Sequence, residues 1–176
     1  MSGRYTATRT SLRTGGIMLL FTLAFTALMA STFQVTRPAI EASRQEAQMR
    51  LLAEVLPPGS YDNALLDDYV RFGPAPQIGM DAGGRVWRAR KAGEPVALII
   101  EGAASDGYAG RIGLVVAVHR DGRLSGVRVT EHKETPGLGD YIDPRKDRRK
   151  DAPWIAQFTG ATWAEVDTAA WTVRKD

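Results

Sequence analysis

The run Glu131-His132-Lys133-Glu134-Thr135-Pro136-Gly137-Leu138-Gly139-Asp140 gathers the most chemically useful residues in the chain. It leaves an alternating stretch and enters a loop. Pro136–Gly137 is a turn pair. Gly137 and Gly139 let backbone N–H groups approach a ligand closely. Thr135 adds a hydroxyl, and Leu138 places an apolar side chain in a loop that reads as exposed. That mix suits a flat, amphipathic cofactor such as a flavin ring. It equally suits a glycine-rich turn after an edge strand, and the residue chemistry alone leaves both open.

Other chemistries find less support. The 176 residues hold no cysteine and two histidines, His119 and His132. Thiolate metal sites, iron–sulfur ligation, disulfides and a cysteine nucleophile are therefore excluded within this sequence, and a His-rich metal site lacks its ligands. No constellation suggests a hydrolase. Net charge is +3 with a pI near 9.4, a mild excess that does not point to nucleic acid. His132 beside the loop is either a hydrogen-bond donor to a cofactor or satisfied locally. His119, before a turn, is assigned no function. Glu134 reads as a structural residue that caps the loop or orients its N–H groups. Trp154 and Trp171 read as core or membrane-proximal anchors.

The elements that must position the loop begin with strands. Residues 85–90, 95–101, 111–119 and 124–130 carry β-branched residues and alternation, and Asp121–Gly122 between the last two is a hairpin signal. These predict an α+β domain around a mostly antiparallel sheet of about four strands flanked by helices. Pro74 and Pro76 argue against regular structure late in residues 60–80.

Ahead of this domain lies an uncharged stretch between Arg13 and Arg37. Residues 14–36 would form a helix of roughly 34 Å, enough to cross a ~30 Å hydrocarbon core. Arg4, Arg9 and Arg13 precede it without an acid, which predicts a cytoplasmic N-terminus and an exported, periplasmic domain. A cleaved signal peptide is the competing reading. Its apolar core is usually roughly 7–15 residues, and a cut after Ala30 would place Leu28 where a small residue belongs. Pro38 suits a helix start, and residues 40–56 predict a juxtamembrane spacer helix ended by Pro57-Pro58-Gly59. The plan is thus a tail over 1–13, a span over 14–36, a juxtamembrane helix over 37–58 and a periplasmic domain over 59–176. Residues 145–151 form a basic cluster with interleaved acids, either a contact for lipid headgroups or a neighbouring subunit, or a solvated loop.

The run H-K-E-T-P-G-L-G-D is similar to the signature of the FMN-binding domain shared by the G subunit of the Rnf electron-transport complex and the C subunit of the sodium-pumping quinone reductase. Tyr108-Ala109-Gly110-Arg111-Ile112 resembles that family's G-Y-x-G-x-I, and His132-Lys133 favours the Rnf branch. The short connection after the span argues against the quinone-reductase branch. The resemblance implies a single-span inner-membrane subunit that relays electrons through one periplasmic FMN in a complex coupling ferredoxin/NAD electron transfer to ion movement. It implies FMN contacts at Thr135, Gly137, Leu138 and Gly139, with other complex subunits, membrane lipid and a flavin transferase as partners. A flavin-free assembly module of the same complex is the alternative.

In the family, FMN is joined by a phosphoester to the last threonine of an S/T-G-A-T motif. Thr159-Gly160-Ala161-Thr162 matches those four residues, which makes Thr162 a candidate. Its surroundings match a different segment: Trp154-Ile155-Ala156-Gln157-Phe158-Thr159-Gly160 resembles W-I-x-x-F-x-G, and Trp171-Thr172-Val173-Arg174-Lys175-Asp176 resembles the W-x-V-x-K-D that precedes the motif. The alignment thus places the true attachment threonine beyond Asp176 and leaves the domain C-terminally incomplete.

Overall fold

In a computed structural model of the chain, which describes residues 3–162 and 165, one long helix leads into a five-stranded sheet. The helix, α1, runs unbroken over Gly3–Val55 with Pro38 inside it. The expectation of a separate helix starting at Pro38 is therefore corrected. Proline removes one backbone donor and crowds the preceding turn, at a cost of about 3 kcal/mol. The good helix formers around it, such as Ala39, Ala42 and Gln45, keep the remaining ladder intact.

The chain divides into two compact units, residues 1–46 and 47–176. In the first, α1 is long and apolar enough to cross a membrane. Leu19, Phe21, Leu23, Phe25, Leu28 and Phe33 are all more than half exposed, a cost that only an apolar surrounding removes. Three hydroxyls in the same stretch are turned back onto the helix. Thr22, Thr32 and Thr36 donate to the carbonyls of Met18, Leu28 and Thr32 at 2.8, 2.9 and 2.8 Å. Each polar hydrogen is thus satisfied without water.

The second unit is a meander in which each strand pairs antiparallel with the next: β1 Tyr69–Phe72, β2 Gly84–Lys91, β3 Glu94–Ala104, β4 Ile112–His119 and β5 Leu124–Glu131. The four expected strands are present. The fifth, β1, adds to that expectation, being four residues long and mostly exposed. It pairs along its full length with β2, and the residue just before it, Asp68, adds charge contacts to that strand. Asp68 accepts from Arg88 Nε at 2.7 Å and from Arg90 Nε at 2.9 Å, and the hydrogen bond from Arg90, then that from Arg88, keeps its carboxyl below the usual range. The expected flanking helices reduce, among the described residues, to the last turns of α1 and short 3-10 turns at Pro76–Ile78, Asp140–Ile142 and Trp154–Phe158. The W-x-V-x-K-D match over residues 171–176, Trp171 included, lies outside the described residues.

Alternation along the strands sends Trp87 and Ala89, Ala97 and Ile99, and Val115 and Ala117 to one face, where Leu52, Val55 and Leu56 of α1 and Leu65 cover them. The small residues set how close the helix sits. A Cβ on Gly126 would come within 3.0 Å of the Val55 carbonyl oxygen. Two tight turns close the central hairpins. Ala92 and Gly93 both take positive φ, 51° and 81°, as a two-residue turn between right-twisted strands requires. Asp121–Gly122 forms the predicted turn, with the Gly122 N–H donating to His119 O at 2.9 Å and Asp121 Oδ1 receiving the Arg123 N–H at 3.0 Å.

Candidate functional site

The meander brings two loops to one end of the sheet: the β3–β4 connection, which carries Tyr108, and the chain leaving β5 through residues 132–142. Between them is a cleft of about 540 Å³ lined by Tyr108, Ile112, Glu134, Thr135, Leu138, Gly139, Tyr141 and Ile142. A glycine shapes each wall, Gly107 by close packing and Gly137 by its positive φ. A Cβ on Gly107 would lie 2.3 Å from the Gly110 carbonyl oxygen. On the other side, Thr135-Pro136-Gly137-Leu138 is a turn with proline second and Gly137 third at φ +79°, closed by Leu138 N–H donating to Thr135 O at 3.1 Å.

The N–H groups of Glu134, Gly137, Leu138 and Gly139 are engaged within the loop. Gly137 N–H donates to Asp140 Oδ1 at 2.8 Å, Gly139 N–H to Thr135 O at 3.0 Å, and Glu134 N–H to His132 Nδ1 at 3.2 Å. The expectation that Gly137 and Gly139 offer N–H groups to a ligand is thus corrected: both are spent inside the loop. Gly137 shapes the turn and does not line the cleft. His132 is satisfied locally, the plainer of its two readings. Glu134 does more than cap its own loop. Its Oε1 receives the Ala109 N–H at 3.1 Å, joining the two walls across the opening.

What the cleft offers is therefore apolar surface with a few polar edges. Tyr108 is 95% exposed and Leu138 77%, unusual for side chains of that size on a rigid turn. The Tyr141 ring meets Trp154 edge-on at 5.7 Å, and Trp154 meets Phe158 the same way at 5.2 Å, so the third wall is braced by an aromatic stack. Thr135 keeps its hydroxyl outside every hydrogen bond among the described residues. A planar aromatic ring with polar edges fits these walls. The volume lies within the roughly 300–1,000 Å³ of small-molecule sites. Sequence reasoning names Thr135, Leu138 and Gly139. It misses Tyr141 and Ile142, whose signal is an apolar pair directly after Asp140.

Thr162 is not brought to this cleft. Leu124, at the start of β5, donates to Ala161 O at 2.9 Å and receives the Gly160 N–H at 2.8 Å. The cleft loop leaves from the opposite end, after Glu131. Seven residue steps of extended chain separate those ends, roughly 24 Å. Thr162 is also occupied: its N–H and hydroxyl donate to Glu165 Oε2 at 2.8 and 3.2 Å. A threonine whose N–H binds a glutamate three residues on is half of a capping box.

Comparison with known proteins places both parts of the chain in families. The RnfG N-terminal region family matches residues 1–55, and the FMN-binding domain family matches residues 107–164, which include every wall of the cleft. The chain is 43% identical over 97% of its length to the G subunit of the ion-translocating oxidoreductase complex of Pseudomonas aeruginosa (strain UCBPP-PA14), covering 78% of that protein. Against the protein of the same name from Pseudoalteromonas atlantica it is 40% identical over 93% of its length and 74% of the relative's. For Salmonella typhimurium the figures are 41%, 94% and 78%. With likeness of that depth spread over nearly the whole sequence, the chain belongs to the family of G subunits of ion-translocating oxidoreductase complexes.

Proposed function

We propose that this chain is a membrane-anchored flavin carrier that passes electrons between neighbouring subunits of an ion-translocating complex. The observation that supports it best is the cleft: exposed Tyr108 and Leu138 on two glycine-shaped walls, in the stretch that matches the FMN-binding family. FMN, when bound, supplies the redox chemistry. The protein's own residues bind and orient. Leu138, Tyr108 and Ile112 would cover ring faces and the Thr135 hydroxyl would meet a polar edge, while Glu134 ties the two walls together through the Ala109 N–H. No side chain need move a proton.

Attachment of FMN through a threonine phosphoester, made by a flavin transferase, is part of the same proposal. Thr162 is a poor anchor for a ring held in this cleft, because it stands at the far end of β5 and its hydroxyl is engaged with Glu165. We further propose that the N-terminus is cytoplasmic and the sheet domain periplasmic, in the bacterial inner membrane with lipid around α1, on the strength of Arg4, Arg9 and Arg13 before the apolar stretch.

The first test is the intact mass of membrane-extracted protein under denaturing conditions, with flavin fluorescence read on the same band and the flavin-bearing peptide sequenced. One FMN on a peptide other than that of Thr162 is the expected result. FMN on Thr162 would overturn the placement, and a chain without FMN would overturn the carrier role. The absence of cysteine permits a topology test. An Arg120→Cys variant should react with an impermeant maleimide from the periplasmic side only.

A further inference from the structure

The basic cluster beside the cleft has an arrangement that its sequence hides. Read linearly, residues 143–151 alternate acids and bases. In the structure the two charges part company. Two of the three acids, Asp143 and Asp147, are 6% and 4% exposed and face inward, while Asp151 at the end of the run stays exposed. Asp143 receives the Arg145 N–H at 2.9 Å, and Asp147 receives the N–H groups of Arg149 and Trp154 at 2.8 and 2.7 Å. These carboxylates act as acceptors that hold the loop's backbone. The five cations Arg145, Lys146, Arg148, Arg149 and Lys150 are all exposed. Arg145 stays 83% exposed while paired with Asp143, and Lys150 donates only to the carbonyls of Pro144 and Arg145. Neither Arg148 nor Arg149 meets a carboxylate in an ion pair among the described residues.

This display is held by backbone hydrogen bonds to Asp143 and Asp147, and it adjoins the cleft. The loop leaves from Tyr141 and Ile142, which line the cleft, and returns at Trp154, whose ring packs on Tyr141. Lys146 lies 4.0 Å from Asp140, the residue that fixes Gly137. A cationic ledge thus stands beside an opening rimmed by exposed Tyr108 and Leu138. An apolar centre with a charged margin is the anatomy of a protein contact surface. Three of the five cations are guanidinium groups, forks that match carboxylates two bonds at a time. Lipid phosphates accept the same forks, so what favours a protein surface here is the exposed apolar pair Tyr108 and Leu138 beside the cations.

We propose that residues 145–150 are the docking ledge for an acidic surface on a neighbouring protein subunit, which they hold over the cleft. The proposal deepens the carrier reading above, since electron exchange needs a partner close to the cleft, but the contact itself does not depend on bound flavin. Pairing of this kind weakens with salt and speeds encounter more than it adds final affinity.

The test uses the tagged full-length chain in its native membranes, extracted in neutral detergent at about 50 mM and about 500 mM salt. The amounts of other complex subunits recovered per chain, and flavin per chain, are read from one sample. The variants are R148E/R149E, the milder R148Q/R149Q, and R120E/R123E, which makes the same charge change at the opposite end of the sheet. Expected is about a fivefold to tenfold loss of partner subunits for R148E/R149E at low salt, a smaller loss for R148Q/R149Q, little change for R120E/R123E, and a loss with salt for the unaltered chain. Unchanged recovery for R148E/R149E would overturn the proposal. So would an equal loss for R120E/R123E, which would mean bulk charge alone. Amide exchange in nanodiscs gives the remaining arm. Protection of residues 144–150 that appears with phosphatidylglycerol and not with phosphatidylcholine, while subunit recovery is unchanged, would make the ledge a lipid contact and sink the protein one. Normal flavin in R148E/R149E shows that its domain has folded. A chain that never carries flavin yet loses its partners on charge reversal would overturn the carrier role and leave the ledge standing.

Discussion

The two ends of β5 carry sequences that look alike and structures that do not. At one end Thr135-Pro136-Gly137-Leu138-Gly139 closes on itself and leaves Leu138 and the Thr135 hydroxyl facing a cleft. At the other, Thr159-Gly160-Ala161-Thr162 is laid against Leu124 and ends in a cap with Glu165. Both segments offer threonine, glycine and a small or apolar neighbour. The first has something opposite it, the Tyr108 loop tied on by Glu134. The second has only the hairpin start. A short motif becomes a site when the fold supplies a second wall.

Removing what the two ends share has the largest effect. Trp87 is 2% exposed in the core cluster that the sheet and α1 share. Trp87→Ala should cost about 4 kcal/mol and lower the melting temperature of both ends together. Amide exchange that rises at one end alone would show that the ends fold independently.

Glycine substitutions tell the ends apart. Gly107→Ala at the cleft end forces a Cβ to within 2.3 Å of backbone, whereas Gly122→Ala at the hairpin end meets open space and is strained only by its φ of +82°. The first should cost about 2–3 kcal/mol with faster exchange over residues 105–112. The second should cost about 1 kcal/mol and leave the cleft intact. Equal losses in thermal melts would mean that the cleft turn relaxes more than its packing suggests.

Smaller effects separate binding from capping. Leu138→Ala removes exposed surface, so stability should hold while affinity for added FMN or riboflavin falls about tenfold, read by fluorescence quenching. Thr162→Ala should do the reverse, loosening its own turn by about 1 kcal/mol without touching flavin affinity. A drop in flavin affinity with Thr162→Ala would join the two ends into one site.

The smallest effect expected is that of pH. The Arg145 side chain holds the Asp143 carboxyl below its ordinary value, and the N–H groups of Trp154 and Arg149 do the same for Asp147. A lowered folded-state value favours the fold above the unfolded value of ~3.9 and loses that contribution as pH falls through the folded one. The basic ledge should therefore keep its exchange protection from neutral pH down to about 4 and lose it below. Asp147→Asn should show the loosened ledge already at pH 7. Loss beginning well above pH 4 would overturn the assignment to these two carboxylates.

Much of the fold is legible in the residues, and the reasons differ by element. Strands β2 to β5 announce themselves because Trp87, Ile99, Val115 and Val127 recur on a two-residue period in segments bounded by turn residues. β1 does not, because an edge strand paired along its length with β2 and tied by Asp68 to Arg88 and Arg90 needs no apolar alternation. Pro38 reads as a helix start because local preference puts proline there, whereas the ladder on either side of it carries the helix through. Within the cleft, the glycines point correctly to a tight loop and wrongly to open N–H groups. Whether those N–H groups face a ligand depends on where Asp140 and the Thr135 carbonyl end up.

Residue type and local spacing were enough to establish that an uncharged stretch suited to lipid precedes a cysteine-free sheet domain, and that a Thr-Pro-Gly-Leu-Gly turn follows one of its strands. The chain carries such properties wherever it folds. Three other outcomes waited on the packed fold: which threonine stands by the cleft, that Tyr141 and Ile142 form its third wall, and that Asp143 and Asp147 of the basic loop turn inward while its cations face out. Those outcomes rest on contacts between residues far apart in the chain, Ala109 with Glu134, Leu124 with Ala161, Tyr141 with Trp154, and no local pattern encodes them.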